Sequence, residues 1–256
     1  MARLHNMKAL ITGGNGGIGK TTAETFLREG ADVALVGTNE ETLQQTKDEL
    51  KELGNVLTIS ADVSNENNVA RYVQKVINSF GRIDIFFNNA GIEGKVAPIT
   101  EQSVEDFDKV MGVNVRGMFL GLKHIMPHMT NQGGGSIVNM SSSAVMTTAS
   151  SVSPYISSKY GIVGLTKTAA LEGATNNIRV NSIHPSPTNT RMMRSLENGM
   201  NPGNAEAVKE GLTEAIPLNC YAETQDVANL VLFLASNESK FITASEYYID
   251  GGMSAT

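Results

Sequence analysis

The sequence predicts an α/β fold, a single domain built on a doubly wound parallel sheet of about seven strands with helices on both faces. Three observations predict it. The chain has 256 residues, about 1.7 units at ~150 residues per domain, which suits one large core better than two small ones. Short apolar runs alternate with helical stretches from one end to the other. The apolar runs lack a period of two, as strands buried on both faces of a parallel sheet do.

Taken in order, KALIT at 8–12 is a strand that meets the cluster GGNGG, and an amphipathic helix over about 18–29 stops at Gly30. VALVG at 33–37, a charged helix reaching about 52, VLTIS at 56–60, a helix over 65–80 and IDIFFNN at 83–89 repeat the rhythm. A long helical pattern covers 103–129, GGGSIVNMS supplies a strand at 135–141, a helix runs over 154–175 and IRVNSIH is a strand at 178–184. The stretch 185–204, PSPTNTRMMRSLENGMNPGN, has three prolines and two glycines and reads as a long connection of the kind that forms functional lids. Helices at 205–213 and 224–235 and a strand at 245–249 close the chain. The expectation is one domain over 1–256, with a substrate-binding loop and helix at 186–212 inside it. Its ligand site should lie beyond the carboxyl ends of the strands.

Composition excludes several classes. With 41% hydrophobic and 18% charged residues the chain is globular rather than disordered. Twenty Lys and Arg against 26 Asp and Glu give a net charge of −6, with no basic tract to follow a nucleic acid. Cys220 is alone, so no disulfide scaffold is possible, and it reads as a small apolar residue. No apolar run approaches the ~20 residues of a membrane span. The amino terminus MARLHNMKAL lacks the apolar core of an export signal, so a cytoplasmic protein is expected. His124 and His128 are one helical turn apart with no third ligand evident, so no metal is expected.

TGGNGGIG, from Thr12 to Gly19, lies where the first strand meets the first helix, the context of a dinucleotide-binding turn. Two registers fit, Gly14/Gly16/Gly19 and Gly13/Gly17/Gly19, the second with Thr12 at the strand end. In either, glycine backbone N–H groups around Asn15 and Ile18 and the helix N-terminus hold a pyrophosphate. At the end of the second strand, where an NAD site usually has an acid for the ribose 2′-OH, stand Gly37, Thr38 and Asn39. Glu41 is expected to serve a capping box with Thr38 instead. The missing acid removes repulsion against a 2′-phosphate while no cation is present to attract one, so the reading leans to NADP over NAD.

Tyr155 and Lys159 project from one helical face. A lysine cation beside a tyrosine favours the phenolate. Bringing a phenol from ~10 to ~7 takes roughly 4 kcal/mol, which one cation and an oxidised nicotinamide ring together can supply. Such a tyrosine acts as general acid and base near neutral pH.

With these residues in view, the chain resembles the short-chain dehydrogenase/reductase family over nearly its whole length. TGGNGGIG looks like its cofactor turn and the NNAG of Asn88, Asn89, Ala90 and Gly91 like its fourth-strand motif. Asn114 in GVNVRG is similar to its helix-embedded asparagine, and Ser142 stands thirteen residues before Tyr155 as the family pattern asks. The resemblance implies a Rossmann fold and an NAD(P)-dependent oxidoreductase acting on a secondary alcohol or ketone. It makes Tyr155 the acid/base, Lys159 the group that lowers its pKa and binds the ribose, Ser142 the donor to substrate oxygen, and Asn114 the holder of a relay water. Asp62 and Val63 would lie by the adenine, and Pro185, Thr188 and Thr190 along the carboxamide. Ser186 departs from the family's glycine, which predicts weaker cofactor binding.

Met192, Met193, Leu196 and Met200, with Val145, Met146, Val96 and Glu93, suggest a mainly apolar pocket for a cyclic or hydrophobic alcohol, with Met146, Met192 and Met193 touching substrate. An acyl-carrier-protein ketoreductase is the alternative within this chemistry, and a non-catalytic cofactor-sensing protein the alternative outside it. The resemblance also implies a homodimer or homotetramer joined through the helices near 103–129 and 154–175.

Overall fold

A computed structural model describes residues 2–255. Seven strands, β1 (Lys8–Thr12), β2 (Asp32–Gly37), β3 (Val56–Ser60), β4 (Ile85–Asn88), β5 (Gly135–Met140), β6 (Ile178–Pro185) and β7 (Glu246–Ile249), form one sheet in the order β3-β2-β1-β4-β5-β6-β7. Every neighbouring pair is parallel. The continuous apolar strands are shared between two layers. Ala9, Ile11, Val33, Leu35, Ile85 and Phe87 pack under α1 (Gly17–Arg28), α2 (Glu40–Leu50) and α10 (Thr224–Ala235). Leu10, Ala34, Val36 and Phe86 face α3 (Glu66–Phe80), α5 (Gly117–Gln132) and α7 (Ser153–Gly173). Each strand thus alternates between two cores, which is why no polar face shows in its sequence.

Between β1 and β4 the strand order reverses, so the loops after them open a crevice above the sheet. The helix expected over 103–129 is three segments: α4 (Val104–Met111), a π-helical turn at Gly112–Arg116, and α5, which carries Pro127 internally. The stretch 185–204 needs correction as well, because it contains a helix, α8 (Arg191–Met200). Thr190 caps it by accepting the Met193 N–H. The prolines and glycines that flank it mark its ends and do not extend through it. After α8 come α9 (Ala205–Glu214) and then α10, while α6 (Ala144–Thr147) is a single turn after β5.

Candidate active site

The glycine turn is bolted to the loop after β4. The Thr12 hydroxyl accepts the N–H groups of Asn89 at 3.0 Å and Ala90 at 3.1 Å, and its carbonyl accepts Asn89 Nδ2 at 2.9 Å. Gly13 has φ +64°, and a Cβ on Gly19 would lie 2.2 Å from the Gly13 carbonyl oxygen. A Cβ on Gly17 would press on the Thr190 methyl at 3.2 Å. A Cβ on Gly14 would meet Leu35 at 2.8 Å and one on Gly16 the Gly13 carbonyl oxygen at 3.3 Å, so the glycines of both registers are closely packed. Helix α1 begins at Gly16 with no side-chain cap and no acid in its first turn. Its open N–H groups and positive end suit an anion, so the turn fits a dinucleotide pyrophosphate.

Beside it, Asn15 donates to the Thr42 hydroxyl at 2.6 Å, and its Oδ1 lies where a Cβ on Gly37 would come within 2.5 Å. The expected capping box is not formed. Asn39 is the cap of α2 and accepts the Thr42 N–H at 3.0 Å, while Thr38 lies in the bend between β2 and α2 and its carbonyl accepts the Ser60 hydroxyl. Asp62 receives both the N–H and the hydroxyl of Ser64, at 2.8 and 2.7 Å. Val63 packs against Gly117, where a Cβ would meet it at 2.9 Å.

The structure brings Ser142, Tyr155 and Lys159 to one wall of the crevice. Pro154 in the first turn of α7 sets the helix start, so Tyr155 and Lys159 follow on one face. The Ser142 hydroxyl faces the Tyr155 phenol and favours its ionised form. Lys159 is 4% exposed, donates to the Met140 carbonyl at 3.0 Å and lies 5.3 Å from the Tyr155 ring centre. Burial pulls its ammonium down to about 8. Burial also pushes the Tyr155 phenol above its ordinary value, with the Ser142 hydroxyl opposing and the Glu93 carboxylate adding to the rise. The expected lowering of Tyr155 is therefore not found here: desolvation dominates and raises it.

Asn114, on the π-helical turn, accepts the Ile92 N–H at 2.8 Å and donates to the Ile92 carbonyl and the Ser158 hydroxyl, each at 2.9 Å. Its side chain thus pins the Gly91 loop to α7, so a relay water would have to use its main chain. Sequence reasoning missed His184, which is fully buried behind Ser142. Burial holds it below its ordinary pKa, so it is neutral at pH 7. Its Nδ1 lies 3.2 Å from the Ser142 carbonyl oxygen and its Nε2 2.8 Å from the Ser182 hydroxyl. A carbonyl can only accept, so Nδ1 carries the proton and Nε2 accepts from Ser182.

Next to these polar groups is a cavity of about 220 Å³. Its outer wall is Met192, Met193, Leu196 and Met200 of α8 with Leu212 of α9 and Met253 near the carboxyl terminus. Among the described residues Lys159 is the one charged side chain in the lining. Met253 was also missed. It is carried inward by the turn at Gly251 and Gly252, both at positive φ, where Asp250 accepts the N–H groups of Gly252 and Ser254.

Residues 13–254 match a family profile described as enoyl-(acyl carrier protein) reductase. Levodione reductase of Leifsonia aquatica is 39% identical over 99% of this chain and 96% of its own. A crystal structure of a levodione reductase, 38% identical, superposes with a TM-score of 0.97, covering 99% of this chain and 100% of that one. The chain belongs to the short-chain dehydrogenase/reductase family. Cyclohexanol dehydrogenase of Acinetobacter sp. (strain SE19) is 35% identical over 97% of this chain and 95% of its own. The structure of an NAD⁺-bound xylitol dehydrogenase, 32% identical, matches with a TM-score of 0.94 over 98% of this chain and 100% of that one. The chain is thus an oxidoreductase of the dehydrogenase/reductase type that uses a nicotinamide cofactor.

For a short-chain dehydrogenase/reductase, two features of the pocket differ from expectation. Ser186, in the place of the family's glycine, is 7% exposed and has no positive φ, so a side chain fits this backbone without strain. Met146 is 59% exposed and outside the lining, as are Val145, Val96 and Glu93. Met146 lies on the single turn α6, whose Thr147 faces the pocket in its stead. The histidines expected to hold no metal are apart from this site, with His124 next to the Glu66 carboxylate at 3.2 Å. No three His, Cys, Asp or Glu side chains among the described residues cluster as metal ligands. No helix among them is long and apolar enough to cross a membrane.

Proposed function

We propose that this enzyme interconverts a small neutral secondary alcohol, cyclic or otherwise apolar, and its ketone. The observation that supports this most is the joining of Ser142, Tyr155 and Lys159 to a pocket whose outer wall is thioether and aliphatic. A bound nicotinamide supplies or takes the hydride at its C4. Everything else is the work of the chain's own residues. The glycine turn from Gly13 to Gly19, with Asn15, Gly16, Gly17 and Ile18, holds the pyrophosphate. Asn89, Ala90, Gly91 and Lys159 hold the nicotinamide ribose, Asp62 and Val63 face the adenine, and Pro185, Thr188 and Thr190 line the carboxamide.

In reduction Tyr155 gives its proton to the carbonyl oxygen while Ser142 donates a second hydrogen bond to it. In oxidation Tyr155 takes the proton back. Desolvation favours the protonated form of Tyr155, and the positive charge of Lys159 and of an oxidised nicotinamide ring would draw its pKa down with the cofactor bound. Asn114 fixes the Gly91 loop against α7. Gly37, Thr38 and Asn39 offer no carboxylate to the ribose, so a 2′-phosphate is accepted and NADP(H) is preferred over NAD(H). An acyl-carrier-protein substrate would bring a charged arm, and the lining offers only Lys159, already committed to Tyr155 and the ribose. Exposed Phe107, Phe119, Tyr160 and Leu171 on α4, α5 and α7 support assembly of two or four copies through those helices.

Initial rates with NADH and NADPH against cyclic ketones, open-chain ketones and a β-ketoacyl thioester test the reading. A preference for the thioester, or no hydride transfer with any of them, overturns the proposed substrate class.

A further inference from the structure

A buried carboxylate that the reaction does not use lies next to the substrate pocket. Glu197 of α8 is 1% exposed. The Tyr221 hydroxyl donates to its Oε1 at 2.9 Å, and Arg194 Nη2 lies 3.0 Å from the same oxygen. The Arg194 guanidinium in turn covers the Tyr221 ring at 5.4 Å. Burial first, and then the Glu197 carboxylate, push the Tyr221 phenol well above its ordinary pKa, so it remains a donor. A carboxylate is costly to bury unless it is paired and hydrogen-bonded, and this one is both.

The cluster joins the segment at Tyr221 to the helix that walls the pocket. Tyr221 precedes Ala222, whose N–H donates to the Pro187 carbonyl at 3.0 Å and whose carbonyl accepts the Asn189 N–H at 2.9 Å. That segment is therefore tied to the chain leaving β6. Helix α8, by contrast, runs out into the exposed turn 201–204, with Gly203 at φ +100°. Its buried Met193 packs with Ile216 and Tyr221 in a small apolar cluster separate from the two main cores. Leu196 packs against the same cluster and Gly199 sits against Val96, and the helix presents Met192, Leu196 and Met200 to the pocket.

We infer that Arg194, Glu197 and Tyr221 are positioning residues, a latch that fastens α8 over the pocket and so sets the affinity for the ketone. The substrate half of this inference rests on the function proposed above. Hydrogen exchange of the native enzyme tests the latch without any substrate. In Tyr221→Phe the amides of 191–200 should exchange faster by about tenfold or more, the worth of a hydrogen bond to a charged group. The amides of α7 should be unchanged. Glu197→Gln, whose amide oxygen still accepts the phenol, should stay closer to wild type than Glu197→Ala. In kinetics, Tyr221→Phe should raise the ketone KM by about tenfold, leaving kcat and the cofactor KM within about twofold.

Unchanged exchange in α8 overturns the latch, whatever the substrate proves to be. Faster exchange spread evenly over α7 and the sheet overturns it too, by making the cluster a general stabiliser. Faster α8 exchange with an unchanged ketone KM overturns the link to substrate. A wild type that reduces no ketone sinks the functional reading alone, and the exchange data still decide the latch.

Discussion

Lys159 donates its ammonium to the Met140 carbonyl 3.0 Å away while lying 5.3 Å from the centre of the Tyr155 ring. One helical turn of α7 therefore places a desolvated cation beside a desolvated phenol. The arrangement opposes stability and favours chemistry, and the two can be separated.

Lys159→Met should stabilise the fold and abolish turnover. The fall of the ammonium from 10.5 to about 8 on burial corresponds to about 3 kcal/mol at roughly 1.36 kcal/mol per pH unit, an upper figure for the gain. The folded pKa is the lower one, so the penalty is complete below pH 8 and disappears as pH rises towards 10.5. Thermal melts of both proteins from pH 7 to 10 should show the variant's advantage shrinking with pH. An advantage that does not vary with pH would mean that packing, and not the charge, is responsible.

Tyr155→Phe should cost at least about a thousandfold in kcat, within the range for removing a general acid. Cofactor affinity, followed by the fluorescence of bound NADPH, should change by less than about twofold. A large loss of affinity would assign the phenol to cofactor binding.

His184→Leu removes the donor that holds the Ser142 carbonyl, so kcat should fall by about tenfold, the scale of one buried hydrogen bond. His184→Asn places an amide N–H near the same carbonyl and should recover most of the loss. If Asn is no better than Leu, the imidazole matters for packing against Tyr248, 4.7 Å away between ring centres, and not for orienting Ser142.

Gly37→Asp restores the acid that this site lacks. Its Cβ forces the Asn15 amide to swing from Thr42, and its carboxylate repels a 2′-phosphate. The ratio of kcat/KM with NADPH to that with NADH should drop by about tenfold or more, about 1.4 kcal/mol, within the roughly 1 to 4 kcal/mol for like charges ~4 Å apart. An unchanged ratio would place the adenosine ribose elsewhere.

The elements that were legible in the sequence are those whose signals are local. Strands β1 and β3 and helix α10 have the bounds that their apolar runs and caps announce. Tyr155 and Lys159 meet because a helix brings residues four apart together wherever it lies. Helix α8 was hidden by Pro185, Pro187, Pro202 and Gly203, although Met192, Met193, Leu196 and Met200 recur at helical spacing between them. Asn39 displaced Thr38 as a cap because α2 starts at Glu40, one residue later than the Thr38 pattern assumes. Met253 and His184 left no local trace at all. Their roles depend on a turn more than fifty residues beyond α8 and on a strand neighbour 42 residues upstream.

The four thioethers of the pocket's outer wall, Met192, Met193, Met200 and Met253, give this enzyme a redox liability that its solitary exposed Cys220 does not suggest. Peroxide would turn that flexible apolar wall into polar sulfoxides next to the reacting carbon, and methionine sulfoxide reductases could turn it back. Substrate affinity would thereby follow the oxidant level around the enzyme, through side chains that take no part in the hydride transfer.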